Sequence, residues 1–451
     1  MDIRKLFISA FLSIVISAPV IHAQQKWSLE DCISYALENN IGLKRQQLQS
    51  EIDRANLTKS QMDLLPNLNF NSDVNVGFGR SIDPVTNLIT FKENVSNSFS
   101  IASNLAVFNG FATLNTITAN RFMLKAGLET EKVQRNTLIV NILGAYYQAL
   151  YAKGLEDAAA MQVDLSEKQL FRIKKTVETG RESLSREYEM ESRLSEDKLS
   201  YTIARNNTSK AVTDLKQLLQ IEPGAEFDVQ LPPMDDIMVE YESVKTDSIY
   251  AIAAQTLPRL KAINYELMAS RKQLAAAIGN IMPRLTIGGA IYTGFYKILS
   301  DGAGDQDPYT TQLKNNNSQA VYASLVIPIF NRYTTGRNIR LARISRNDAE
   351  LRLELEKNIL YSEIENACLN INRGNDEYLA ARSNLEFNKK SFDGVEKKFE
   401  AGLVDVTDYS AAKTTLFRAD TEVIRTKLQM LIRQLTIQFY CTGEYETLIR
   451  K

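Results

Sequence analysis

The sequence predicts a mainly α-helical protein with a small β portion of membrane-crossing length, the whole plan written twice. Three observations carry this. Apolar residues recur every 3.5 positions over 138–177 and again over 360–399. Four segments of about ten residues alternate apolar and polar with a period of two, the third, through Leu285, Ile287, Ile291 and Phe295, more loosely. Several peptides also return in order at a nearly constant offset, as an internal duplication requires.

The first element is a leader. "MDIRKLFISAFLSIVISAPVIHAQQ" has a basic start at Arg4 and Lys5, an apolar run from Leu6 to Val20, and a cleavage site after "IHA". This reads as a signal peptide over 1–23. A membrane anchor would need a longer apolar run. Beyond it no stretch is long and apolar enough for a transmembrane helix, so the expectation is an exported chain.

The duplication is visible in short echoes. "LLPNL" (64–68) returns as "IMPRL" (281–285), an offset of 217. "AVFNGFAT" (106–113) matches "IPIFNRYTT" (327–335), and "KTVETG" (175–180) matches "KKFEAG" (397–402), both at 222. The extra five residues fall in the longer loop of the second copy. The chain therefore divides into a first repeat (24–222), a linker (223–245), a second repeat (246–442) and a tail (443–451).

Each repeat follows one order. A helix (28–62 or 246–281) runs into Pro66 or Pro283. A strand pair follows, 67–79 with 97–108 in the first copy and 285–297 with 319–329 in the second. The loops between strands are rich in turn residues. A long helix (112–179 or 334–400) ends at Gly180 or Gly402, as helices often end at glycine. A further helix (183–221 or 405–440) closes the hairpin. The long helices carry the 3.5-residue seam, Leu138, Ile142, Ala145 and onward to Val177, then Leu360, Ile364, Ala367 and onward to Phe399. Such a seam means helices wound on helices.

The strands have two faces. Leu68, Phe70, Val74, Val76 and Phe78 lie on one side of the first, and Asn67, Asn69, Asn71, Asp73 and Asn75 on the other. The second presents Phe99, Ile101, Leu105 and Val107, the fourth Val321, Ala323, Leu325, Ile327 and Ile329. A soluble sheet under helices would hide the apolar face. A lipid setting fits the ten-residue lengths and the aromatics at the strand ends. In lipid an open sheet edge is too costly, so four strands from one chain imply a barrel shared between copies. The asparagine face would then line water.

Composition argues against several functions. Lys and Arg number 53 against 54 Asp and Glu. That balance is not basic enough to point to nucleic acid. The only histidine, His22, lies in the leader, which removes the commonest general base and metal ligand from the mature chain. No P-loop, GxSxG or CxxC pattern occurs. Cys32, Cys368 and Cys441 read as buried unpaired thiols. Neither a catalytic set, a metal site nor a cofactor is expected.

Taken together, the leader, the tandem copies, the strand–loop–strand inserts and the hairpins closing at glycine resemble the TolC-type outer-membrane efflux proteins. "WSLEDCISYALENN" resembles that family's opening helix, and "FEAGLVDVTDYSAAKTTLFRAD" its hairpin turn. The resemblance implies a homotrimer, a shared 12-stranded barrel in outer-membrane lipid, and a periplasmic helical tunnel. It also implies partners, namely a periplasmic membrane-fusion adaptor and an inner-membrane transporter, with efflux or type I secretion as the role. The hairpin turns, here Gly180, Gly402, Leu403 and Val404, would contact the adaptor. Asp408 matches a family acidic position at the gate. With Asp405 before it and Arg181 or Arg186 as partner, it is the expected gate link, although a solvated helix start also favours Asp. The chain departs from the family at Val177 and Phe399, where a tyrosine is expected, and at Ala411, where a second acid is. The competing reading is a periplasmic coiled-coil scaffold or adaptor without a pore.

Overall fold

A computed structural model describes residues 26–82, 87–232, 245–299 and 307–445. The leader over 1–23, part of the linker and the end of the tail lie outside the described residues.

Each repeat opens with two helices where the sequence suggested one. Helix α1 (Leu29–Asn39) starts at a Ser28 capping box with Asp31 and stops at Asn40. Helix α2 (Ile41–Met62) starts at the same Asn40, whose side chain accepts from the Leu43 N–H. In the second repeat α5 (Thr246–Thr256) and α6 (Pro258–Gly279) are divided at Leu257. Asn40 and Leu257 are equivalent under the 217-residue offset, and their backbones agree, φ −61 and ψ 121 against φ −64 and ψ 125. The cause differs. Pro258 forces the residue before it out of the helical region. Asn40 instead supplies a cap that satisfies an orphan N–H.

The strands are β1 (Asn69–Gly77), β4 (Asn94–Phe108), β5 (Arg284–Ile298) and β6 (Ser318–Val326). A two-residue pair, β2 (Ser81–Ile82) and β3 (Ile89–Thr90), decorates the first loop. The main sheet runs β1-β4-β5-β6, antiparallel throughout, and its outer edges are β1 and β6. Three expectations shift. Strands β4 and β5 are 15 residues each rather than about ten. The last strand stops at Val326 rather than 329, because Pro328 has no N–H for a ladder. A bulge between Ala106 and Phe108 sets Phe108 opposite Leu285, so Val107 leaves the register.

Helices α3 (Ala112–Glu178) and α8 (Thr334–Glu400) are 67 residues each. At the usual rise each is about 100 Å long. They pair with α4 (Leu184–Leu218) and α9 (Val406–Thr442). Every seam position named from the sequence, from Leu138 to Val177 and from Leu360 to Phe399, is buried or half-buried. A short helix, α7 (Tyr309–Asn315), lies along β5.

The linker is partly core. Trp27 forms a β-bridge with Val229, which is buried, and Tyr146 donates its hydroxyl to the Gln230 carbonyl at 2.6 Å. Phe227 and Leu231 pack beside it. The start of the tail is also anchored: Tyr445 stacks on Phe439 at 4.2 Å, and Asn136 bonds to the Gly443 carbonyl. Cys32 and Cys368 are buried as expected, but Cys441 is exposed.

Candidate functional sites at the sheet and the hairpin turns

The sheet register assembles two chemically different faces. Phe70, Ile101, Ile291 and Gln319 line up across one row, and Leu105, Ile287 and Ala323 across another. On the opposite face Asn71 aligns with Ser100, Tyr292 and Ser318, and Asn75 with Ser96 and Tyr296. Asp73 sits between these rows beside Ser98. Asn67 is held differently: its carboxamide oxygen accepts from the Asn104 N–H at 2.7 Å.

Among the described residues of one chain much of the apolar face is uncovered. Leu68, Phe70 and Val321 are 75%, 65% and 87% exposed. A surface so apolar belongs against lipid or another protein. Beyond the reach of β6, side chains close the edge of β5. Gln312 accepts from the Tyr296 N–H and Asn316 donates to the Gly294 carbonyl. Among the described residues no strand pairs with the outer edge of β1 or of β6.

At the far end of the long helices the two turns share one geometry. Gly180 has φ 71 and Gly402 φ 72. The following N–H reaches back across the turn, from Arg181 to Thr176 and from Leu403 to Lys398. This is a Schellman closure, and it needs the left-handed region. Space is not the constraint, since a Cβ at either glycine meets nothing within 4 Å. Gly402→Ala is expected to destabilise the hairpin by about 1–2 kcal/mol through backbone strain alone. A fall in thermal unfolding temperature, with the oligomer intact, checks this.

The expected gate residues are distributed as follows. Asp405 is the N-cap of α9 and accepts from the Asp408 N–H at 2.8 Å. The Asp408 side chain and Arg181 are exposed and form no ion pair with another described residue. Arg186 is engaged elsewhere. It bonds Glu182 at 2.9 Å and the Val404 carbonyl at 3.1 Å, and its guanidinium lies 5.2 Å from the Phe399 ring centre. It therefore ties the first turn to the second within the chain, and the expected Arg186–Asp408 pair does not form there.

The sequence reading missed a stronger link. Lys413, 8% exposed at its side chain, donates to Asp197 at 2.6 Å, to Ser166 at 2.6 Å and to the Gln162 carbonyl at 3.0 Å. Ser166 also bonds Asp197. Three helices from both hairpins, α3, α4 and α9, meet in this network. Burial pulls the Lys413 ammonium below its usual pKa, with Asp197 opposing. Arg172 of α3 adds an ion pair to Glu400 of α8 nearer the turn. Around it Tyr409 stacks on Phe399 at 4.5 Å, and burial pushes its hydroxyl pKa up. The signal for Lys413 was present: Ser166 falls on a 3.5-residue seam position of α3, and Lys413 follows Ala412 in the spaced apolar series Tyr409, Ala412, Leu416. Asp197 gave none.

A sheet apolar on one side, polar on the other and open at both edges, rooted in long helical hairpins, defines a class: membrane proteins whose chains each contribute part of a common barrel. The chain belongs to the outer membrane efflux protein family, whose profile matches residues 32–219 and 249–442, once in each repeat. That family consists of non-enzymatic transport proteins of the outer membrane. Outer membrane protein TolC of Escherichia coli (strain K12) is 22% identical over 328 residues, 69% of this chain. The match spans 63% of TolC's length. The solved structure of CusC is similar at a TM-score of 0.77 and 17% identity, covering 92% of each chain. The Campylobacter jejuni CmeC outer membrane channel has a TM-score of 0.77 at 16% identity, over 94% of this chain and 88% of its own. In channels of this fold each chain gives four strands to a shared barrel and helices to a tunnel.

Proposed function

We propose that three copies form an outer-membrane exit channel that conducts substrates passively from an inner-membrane transporter and a periplasmic adaptor. It serves tripartite efflux or type I secretion and is gated at the hairpin turns. The observation that carries this is the four-stranded sheet, with its uncovered apolar face and its two free edges. Unpaired backbone groups in lipid cost several kcal/mol each, so β1 must meet β6 of another copy. Two copies would give eight strands and a barrel filled by side chains, whereas twelve strands leave a lumen. Asn69, Asn71, Asp73 and Asn75, with Asn67 at the strand entry, then line water.

The duplication supports the assembly independently. Helix α6 packs between α3 and α8, while its counterpart α2 packs on α3 with its other side bare. That side shows Ile41, Leu48 and Ile52, all more than half exposed. Leu341, Ile344, Leu351 and Leu355 of α8 are exposed as well and supply a matching surface on the next copy.

At the turns, Arg186, Arg172 and Lys413 fasten each chain to itself. The exposed Asp408 and Arg181 are left for a link between chains at the constriction. Each such link is worth about 0–1 kcal/mol, so three hold a closed state weakly enough for adaptor contacts to reverse it. Asp408→Ala is expected to raise single-channel conductance in planar bilayers. An assembled trimer with unchanged conductance would remove Asp408 from the gate. Detergent extraction followed by oligomer sizing tests the channel itself. A mature protein that is soluble without detergent and does not form trimers would favour a pore-less scaffold.

A further inference from the structure

Residues 308–347 contain no aspartate or glutamate. Within them Arg332 precedes α8, whose first turns carry Arg337, Arg340, Arg343 and Arg346. A helix start is the positive end of the helix dipole and favours acids, so Arg332 and Arg337 at the first turn oppose it. Arg332, Arg337, Arg340 and Arg343 are exposed and make no ion pair with another described residue. Pairing resumes one turn on, where Arg346 approaches Glu350 at 3.9 Å and Arg352 holds Asp348 at 2.8 Å. The equivalent stretch of the first repeat, 109–125, has only Arg121 and Lys125. The shared fold therefore does not require the second copy's arginines.

Their position supplies a reason. The apolar face of β6 runs on through Ile327 to Ile329, 94% exposed, then Phe330, 84%, and Tyr333, 62%. Apolar strand end, aromatic rim and basic collar thus follow one another along the chain, in the order of a membrane profile from hydrocarbon to headgroup. From Thr334 to Arg343 the helix climbs only about 15 Å, so the collar stays near the headgroup layer. Guanidinium groups suit phosphate, which they bind in a two-pronged way.

We propose that Arg332, Arg340 and Arg343 bind the phosphates of anionic phospholipids in the leaflet next to the helical end of the sheet, whereas Arg337 shares the Leu341 and Ile344 side of α8 that meets the next copy. This rests on the reading that the sheet lies in lipid. Phosphatidylglycerol is the probe. Purified protein, exchanged between phosphatidylcholine vesicles with and without phosphatidylglycerol and then analysed by native mass spectrometry, is expected to retain phosphatidylglycerol preferentially. Retention should fall about fivefold for each arginine removed at low salt, and should weaken as salt is raised. Replacing all three by Gln, or only Arg340→Gln with Arg343→Gln if the threefold variant does not assemble, should abolish or reduce the preference. Arg121→Gln with Lys125→Gln should leave it in place. Equal retention of both lipids by the unaltered protein overturns the proposal. So does a variant that keeps its lipid preference but changes ion selectivity, which would put the arginines in the lumen. Insertion and conductance of the unaltered protein report separately on the lipid reading, so the two failures are distinguishable.

Discussion

Replacing Lys413 by alanine is expected to destabilise the protein by about 3 kcal/mol and to loosen the hairpin ends. Lys413 is the meeting point of α3, α4 and α9, and its removal leaves Asp197 facing Ser166 without a counter-charge in a mostly buried setting. Breaking one side of a buried ion pair typically costs about 3–5 kcal/mol. The lower end applies because the Asp197 side chain is 24% exposed. Replacing both partners, Lys413→Met with Asp197→Asn, should restore most of the loss, since a neutral pair of similar volume avoids the desolvation penalty. Denaturant unfolding of the two single variants and the double variant measures the coupling. If the double variant is no more stable than the sum of the singles predicts, the network is incidental. The network also bears on the gating proposed above. It joins the first hairpin to the last helix of the second, which would separate if the proposed gate opens by spreading of the turns. Lys413→Ala is therefore expected to raise conductance as well as to lower stability.

Oxidation of a cysteine pair at Asp73 and Ser324 should yield covalently linked trimers. The register comes from the duplication. Asp73 corresponds to Ala290, which pairs with Ala102, and Ala102 corresponds to Ser324. The same mapping places Asn75 opposite Tyr322 and Val76 opposite Val321 of the neighbouring copy. It keeps polar residues with polar and apolar with apolar, which a register slip of one residue would reverse. Directly opposed Cβ atoms on antiparallel strands are about 4.5–5.5 Å apart, close to what a disulfide spans. The background should replace Cys32, Cys368 and Cys441, and denaturing electrophoresis without reductant reads the result. Dimer and trimer bands for Asp73→Cys with Ser324→Cys are expected, with none for Asp73→Cys with Ala323→Cys. Linking of only the second pair would show that the repeat does not set the register between chains.

Much of this fold was legible because it is written in local periods. The 3.5-residue seam requires only that neighbouring turns of helix present apolar groups to one side, and every seam position is indeed covered. The four strands announced themselves by alternation, and glycines 180 and 402 by the left-handed residue that a helix end needs. The misreadings were local too. Asn40 and Leu257 each end one helix and begin another, and a helical pattern on both sides hides a break of one residue.

What the sequence by itself determined is therefore the set of elements, their duplication, and the two-faced sheet that one chain cannot close. The tertiary structure decided which distant groups meet. It drew Arg186 to the Val404 carbonyl and the Phe399 ring rather than to Asp408, it joined Lys413 to Asp197 and Ser166, and it folded Phe227 to Leu231 against Trp27 and Tyr146. The physical reason is range. Helix and strand periods arise from backbone hydrogen bonds and side-chain directions a few residues apart. A buried charge finds its partner only after helices more than two hundred residues apart in the chain have packed and excluded water around it.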